Sequence, residues 1–421
     1  MSASNSSFDI TFPINLPEMQ ANEDTALSVK TVRVSSPDTT FSFSAAHEVF
    51  RSECRIFFDN RARPFIEEWE AQGQVPFRKL LGEMHQAGLI GMRYPTSCGG
   101  KGLDIAWHAV LAEELGRVPC GGLGMGLTIH HDMVAPLLET CGLHSIGQQV
   151  LASALNGKCL LAHAVSEIGA GSDLGAIKAR LDKAATGYVL NGQKAYVSMG
   201  TQADWFCVLA KAPGSGRFPF NMTLMLVPRD ANGVHLKPRL ATLGHRSLDV
   251  CDVEFKDVAV QENQLLGGGS MGYIRQAQQF IEERIIAAFR STATAKYLCE
   301  STWKYASTEN VFGKRSIDQQ AIRFRLAELH ARCILSREAN LDALNTLLKG
   351  ENVEQKSAAC KFISCRLVRD AADEAMQIFG AHAYIQGHEI ERLYRDVRLL
   401  SLSTGSDEIM LHTLSTLKGM V

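Results

Sequence analysis

The sequence predicts an α+β fold in three parts: an N-terminal helical domain, a middle β domain and a C-terminal helical bundle. Three observations carry this prediction. Apolar residues recur at helical spacing between about 42 and 157. Alternation of period two, punctuated by turn residues, takes over between about 158 and 270. Long helical periodicity returns over 271–421. Residues 1–41 precede these parts as an extension with neither pattern.

The extension is rich in Ser and Thr and carries Asp9, Glu18, Glu23, Asp24 and Asp38 against Lys30 and Arg33. A transit peptide is Arg-rich and poor in acids, and a signal peptide has an apolar core. Neither description fits. The segment reads as a drape over the surface, and the chain as soluble and intracellular, in the cytoplasm rather than the mitochondrial matrix. The terminal KGMV carries no recognised address. A formal net charge of −2 gives no reason to expect nucleic acid or an anionic membrane as partner. No apolar run is long enough to span a bilayer. The 11 cysteines stand singly, as reduced thiols do in an intracellular protein.

In the first helical part, AAHEVFRSECRIFFDNRARPFIEEW is expected to put Val49, Cys54, Phe57 and Phe58 on one face. FRKLLGEMHQAGLIGM follows, with Gly88 as a helix stop. SCGGKG reads as a loop and DIAWHAVLAEELGRV as a helix. Gly121 to Gly126 is glycine-rich but lacks the preceding strand a phosphate loop requires. His130-His131 lacks zinc-site spacing, and no metal is expected.

In the middle part, IKARLDKAATGYVLNGQKAYVSMG alternates, and Asn191-Gly192 signals a hairpin turn. DWFCVLAKA, MTLMLVPRD, HLKPRL and DVCDVEFKDVAV are strand-like. In the last part three long periodic stretches begin at QAQQFIEERIIAAF, RFRLAELHARCIL and EQKSAACKFISC. They form a bundle, with Cys360 and Cys365 in its core.

The loop HAVSEIGAGSDLGAIKARL, residues 163–181, joins hydroxyls and glycine-freed backbone N–H groups ahead of a strand. Taken with LNGQKAYVSMGTQADWFCVLAK, LGHRSLDVCDVEFKDVAV, VFGKRSIDQQAIRFRLAEL, QIFGAHAYIQGHEIERLYRDVRLL and STGSDEIM, it resembles the acyl-CoA dehydrogenase family of flavoproteins. The resemblance covers nearly all of the chain after about residue 45. It implies a C-terminal four-helix bundle and a homo-oligomer, tetramer or dimer. FAD is implied between the β domain and the bundle, with the site completed by a neighbouring subunit.

The same resemblance implies roles for single residues. His163, Val165 and Ser166 would line the flavin ring, and Ser172 would approach a phosphate or the substrate. Tyr196 would cover the ring face, and the Ser198 hydroxyl would meet the N5 region. Phe312, Gln320, Gln377 and Gly380 would meet a partner subunit's FAD. Ser406 and Glu408 would lie beside the FAD near the reaction centre. Arg284, Asp249 and Gly405 are candidate substrate contacts.

The implied reaction is α,β-dehydrogenation of an acyl thioester, on CoA or on a carrier protein. Electrons would pass to electron-transfer flavoprotein or another acceptor. A base must take a weakly acidic α proton, so its carboxylate needs a raised pKa in a dry pocket. Many relatives carry that base in a YEGTS-like turn, where this chain has LSTGSD with Thr404 at the glutamate position. The isovaleryl- and long-chain-type branch places it instead as the Glu of a Glu-Arg pair on the first bundle helix, which here is Glu283-Arg284. Glu283 is therefore the candidate base, and the Thr404 backbone N–H a candidate donor to the thioester oxygen. Glu282 lies about 100° around the helix and is expected in solvent. Asp407 is the next nearest acid.

Some positions depart from the family pattern. Ile168 stands where proline is usual, Tyr196 where tryptophan is frequent and Ser198 where threonine is usual. Glu309 replaces an arginine that pairs with a partner's pyrophosphate, which a glutamate would repel. Lys304, Lys314 or Arg315 would have to replace it. Ala381 stands for the second of two glycines, and Leu248 and Val250 flank Asp249 in place of small polar residues. Two other readings of the fold remain open: a flavin monooxygenase-like enzyme that needs no α-proton base, and a non-catalytic member.

Overall fold

The computed structural model describes residues 41–141, 146–214, 216–267 and 269–417. Most of the expected extension (residues 1–40) and the terminal KGMV lie outside the described residues.

Seven helices come first: α1 (Ala45–Arg61), α2 (Ile66–Gln72), α3 (Phe77–Gln86), α4 (Ala106–Gly116), α5 (Gly121–Leu127), α6 (Ala135–Cys141) and α7 (Gly147–Leu155). Ser44 caps α1 in a capping box with His47. The buried face of α1 is His47, Phe50, Cys54, Phe57 and Phe58. Val49 is exposed, so the expected stripe was one residue out of phase at its start. The glycines of α5 serve close packing: a Cβ on Gly126 would stand 2.0 Å from the Phe77 ring. Between α5 and α6 the chain takes a π-helical turn over Thr128–Val134. That wider turn sets the positions of His130, His131 and Asp132.

Eight strands follow: β1 (Leu161–Ala164), β2 (Arg180–Lys183), β3 (Tyr188–Ser198), β4 (Trp205–Lys211), β5 (Met222–Pro228), β6 (Val234–Leu236), β7 (Val250–Val260) and β8 (Leu265–Leu266). They form one sheet in the order β6-β7-β3-β2-β4-β5-β8, with β1 parallel to β4. The hairpin between β2 and β3 turns at Ala184–Gly187, where Ala184 N–H meets Gly187 O at 3.1 Å. Asn191-Gly192 does not turn. It lies within β3 at a register shift against β7, and at Gly192 a Cβ would strike Ala179. Pairing on both edges of β3 overrides the local turn preference.

The last part holds α8 (Gly272–Thr308), a small hairpin of β9 (Asn310–Val311) and β10 (Lys314–Arg315), α9 (Gln320–Leu348), α10 (Glu354–Phe379), α11 (Glu389–Asp396) and α12 (Asp407–Leu417). Helix α10 packs on α8, α9 and α12 to make the four-helix bundle, and α4 covers α8 from the N-terminal side. Arg51, Arg55 and Arg337 join Glu113 and Glu114 across α1, α4 and α9. All 11 cysteines are free, with Cys360 and Cys365 buried as expected. No helix among the described residues is long and apolar enough to cross a membrane.

Candidate active site

A cavity of about 410 Å³ lies between the β1–β3 face of the sheet, α8 and the turn before α12. Its floor includes Met125, Ile129 and Met133, spaced by four residues along one face of α5 and the π-helical turn. Its walls include His163, Val165, Ser166, Ser172, Tyr196 and Ser198 from the sheet side. Arg284, Thr404, Gly405 and Ser406 come from the bundle side. The structure therefore brings ten of the expected residues to one cavity.

The loop over 163–172 is fixed to β3 by a buried ion pair. Lys194 Nζ donates to Glu167 Oε1 and to Val165 O, each at 2.8 Å. Glu167 in turn accepts from the N–H groups of Lys178 and Ala179. Burial pushes the Lys194 ammonium down to about 8 against the opposing pull of Glu167. Tyr196 takes a left-handed backbone conformation (φ 59°) and leaves its ring 64 % exposed over the cavity rather than in a core. His163 Nε2 lies 2.7 Å from Gln276 Oε1, and burial lowers the His163 pKa to about 4, so the ring is neutral. Gln276 Nε2 is buried and has no hydrogen-bond partner among the described residues.

Glu283 is 1 % exposed. Its Oε1 accepts the Thr404 hydroxyl at 2.6 Å, and its Oε2 has no partner among the described residues. Burial raises its pKa to about 8, and Asp132 adds to the rise. The Thr404 hydroxyl, Arg284 and Arg290 oppose it. Arg284 faces the cavity with its Nε unpartnered, and burial lowers its pKa as well. Thr404 is left-handed (φ 56°), an uncommon conformation for a β-branched residue. The buried Lys361 ammonium of α10 donates to Gly405 O beside it.

Several expected site residues stand elsewhere. Asp249 is 2 % exposed and does not line the cavity. Its carboxylate accepts from Thr201 N–H, the Thr201 hydroxyl and Gln202 Nε2, each at 2.7 Å. It holds the turn after β3, and its expected role as a substrate contact finds no support in this placement. Asp407 is held by Arg366 and Arg369 at 3.5 and 3.6 Å, on the α10 side. Glu282 is not free in solvent but pairs with Arg93. Glu408 is exposed beside Ser406. Phe312, 98 % exposed, and the exposed Gln320, Gln377 and Gly380 lie outside the cavity, on the bundle surface.

Sequence reasoning missed Lys361, Gln276 and the group His108, His131 and Asp132. In that group both histidine Nδ1 atoms face Asp132 Oδ1, at 3.1 and 3.4 Å. These ligand-capable atoms fall within 4.8 Å of one another. His131 Nε2, however, accepts from Gly91 N–H at 3.2 Å, so its Nδ1 bears the proton and has no lone pair for an ion. His130 links Ala154 O to Leu161 N–H and joins α7 to β1.

Three family profiles match in chain order. They are the acyl-CoA dehydrogenase N-terminal domain over residues 44–158, the middle domain over 162–258 and the C-terminal domain over 270–416. The long-chain specific acyl-CoA dehydrogenase of Rattus norvegicus mitochondria is 29 % identical over 370 residues, 87 % of this chain and 85 % of that protein. A 3-(aryl)acrylate reductase of Clostridium sporogenes is 26 % identical over 87 % of this chain and 97 % of its own. The crystal structure of an acyl-CoA dehydrogenase from Geobacillus kaustophilus superposes with a TM-score of 0.86. It is 28 % identical, and the match covers 90 % of this chain and all of that one.

Proposed function

The chain belongs to the acyl-CoA dehydrogenase family, and from that premise we propose that it dehydrogenates the α,β bond of an acyl-CoA thioester with FAD as cofactor and Glu283 as base. The observation that carries the proposal is the buried Glu283 carboxylate, unpartnered at Oε2 and bound through Thr404 to the cavity wall.

The cavity residues fit a flavin. Hydroxyls of Ser166, Ser172 and Ser198, the exposed Tyr196 ring and apolar floor residues surround one space. The buried Gln276 Nε2 beside His163 awaits an acceptor. FAD bound there supplies the acceptor for the β-hydride. His163, Val165, Ser166, Tyr196 and Ser198 would hold its ring, with Ser172 and Ser406 near its polar parts. Phe312, Gln320, Gln377 and Gly380 would serve a partner subunit in a homo-oligomer. Electron-transfer flavoprotein is the proposed electron acceptor.

The chain's own residues handle the proton. Glu283 takes the α proton at a carboxylate oxygen. A carboxylate whose acid has a pKa near 8 is a far stronger proton acceptor than one whose acid has a pKa near 4.5. The Thr404 N–H would donate to the thioester oxygen as negative charge grows there. Arg284, its Nε free, would orient that group. The apolar floor would exclude water and keep the base strong.

The test is product mass. The full chain, loaded with FAD and given an artificial electron acceptor, is expected to convert an acyl-CoA into a species lighter by two hydrogens. No such product from short, medium, long or branched acyl-CoAs would refute the proposal.

A further inference from the structure

We infer that Lys361 and the Thr404 hydroxyl form a latch that holds the Glu283 carboxylate behind the cavity wall. This rests on the dehydrogenase reading and deepens it.

The geometry comes from two helices, α8 and α10, and the turn before α12. Glu283, at 1 % exposure, cannot touch a substrate as it stands. Thr404 and Arg284 line the cavity in its place. The hydroxyl that reaches Glu283 across 121 residues sits on a turn with two successive left-handed residues, Thr404 (φ 56°) and Gly405 (φ 89°). A β-branched residue keeps that conformation only where its surroundings enforce it. The enforcing contact is Lys361, whose ammonium, 1 % exposed on α10, is bound to Gly405 O. A lysine is seldom buried without a specific partner. Here its partner is the carbonyl directly after the residue that caps the base. For Glu283 to reach an α carbon, its carboxylate has to become open to the cavity, whose wall Thr404 and Arg284 now form. Thr404 is thus a positioning residue, and Lys361 positions Thr404.

The latch also sets when the carboxylate is charged. A hydroxyl can donate to the anion, so the bond favours ionised Glu283 against burial. The other groups facing Glu283 stay in place in every variant below: Asp132 from the π-helical turn and Arg284 and Arg290 from α8. Asp407 and Cys365 face Lys361.

The test reads Glu283 directly. The infrared band of its protonated carboxyl group is followed against pH in the full chain, as the difference between each protein and its Glu283→Gln counterpart. Thr404→Val keeps the branched shape and loses the hydroxyl. Its titration midpoint is expected above that of wild type by about one pH unit, the size of one charge-assisted hydrogen bond. Thr404→Ser is expected to titrate as wild type does. Lys361→Met, or Lys361→Gln if the first does not fold, is expected to raise the midpoint. Combined with Thr404→Val it should add less than the sum of the two. An unmoved midpoint in Thr404→Val, or an equal rise in Thr404→Ser, overturns the hydroxyl's role. Strict additivity overturns the role of Lys361 in holding the turn and leaves it only its charge. None of these readings needs substrate. A wild type that yields no dehydrogenated product would therefore sink the proposed function separately.

Discussion

Replacing Glu283 by glutamine is expected to abolish α-proton removal and, at the same time, to stabilise the protein at alkaline pH. The sign follows from where the proton sits. Unfolded, the carboxyl group titrates near 4.5; folded, near 8, because burial disfavours the anion. Below the lower value both states hold the proton. Between the two only the folded state holds it, so each unit of rising pH weakens the wild type. Above the upper value the loss is complete. At ~1.36 kcal/mol per pH unit, the interval amounts to a loss of order 5 kcal/mol. Glutamine does not titrate and can still accept the Thr404 hydroxyl, so the variant escapes that loss. The assay is thermal unfolding of both proteins, with matched flavin loading, at about pH 5, 7 and 9. The gap in Tm should widen with pH toward roughly 6 °C, taking ~1.2 °C per kcal/mol for a chain of this length. A gap that stays constant over that range would mean that Glu283 titrates as an ordinary carboxylate, and the argument for a strong buried base would fail.

Two further outcomes concern the frame around the cavity. Asp249→Ala removes three hydrogen bonds from the turn after β3. Denaturant unfolding should show a loss of about 3 kcal/mol, while KM for acyl-CoA stays unchanged; unchanged stability with a raised KM would restore Asp249 as a substrate contact. Glu167→Gln leaves the Lys194 ammonium buried without its counter-ion. It should cost about 3–5 kcal/mol, and adding Lys194→Met should recover much of that in a double-mutant cycle; additive losses would show that the pair does not act as a unit.

The fold could be read from the sequence because its periodicities are long. A helix such as α8 repeats its apolar face many times, so one misplaced residue does not hide it. The short signals misled. Asn191-Gly192 is a strong turn pair in isolation, yet β3 is paired on both sides and runs straight through it. Val49 was placed inside in error because the stripe of α1 starts at His47 and Phe50. Glu282 was misjudged, and the hold of Asp249 on its turn went unseen, because their partners, Arg93, Thr201 and Gln202, come from other elements and have no signature in the local sequence.

At the candidate site, the choice of Glu283 rests on the resemblance to a family branch and on the threonine at the alternative position. What Thr404 does with its side chain could not be read from the sequence. A hydrogen bond between residues 121 apart appears only when the bundle closes. Lys361 was invisible for a related reason: a lysine at helical spacing normally marks a solvated face, and only the packing of α10 shows it inside. The exposed rings of Tyr196 and Phe312 were likewise expected from the resemblance alone, since sequence gives no reason for an aromatic to stay in solvent.

Whether Glu283 removes the α proton of an acyl-CoA is decided by anaerobic titration of the FAD-loaded protein with acyl-CoA. Flavin absorbance is followed in wild type and in Glu283→Gln. With Glu283 as the base, the wild type bleaches and the variant does not. Equal bleaching in both would place the base elsewhere.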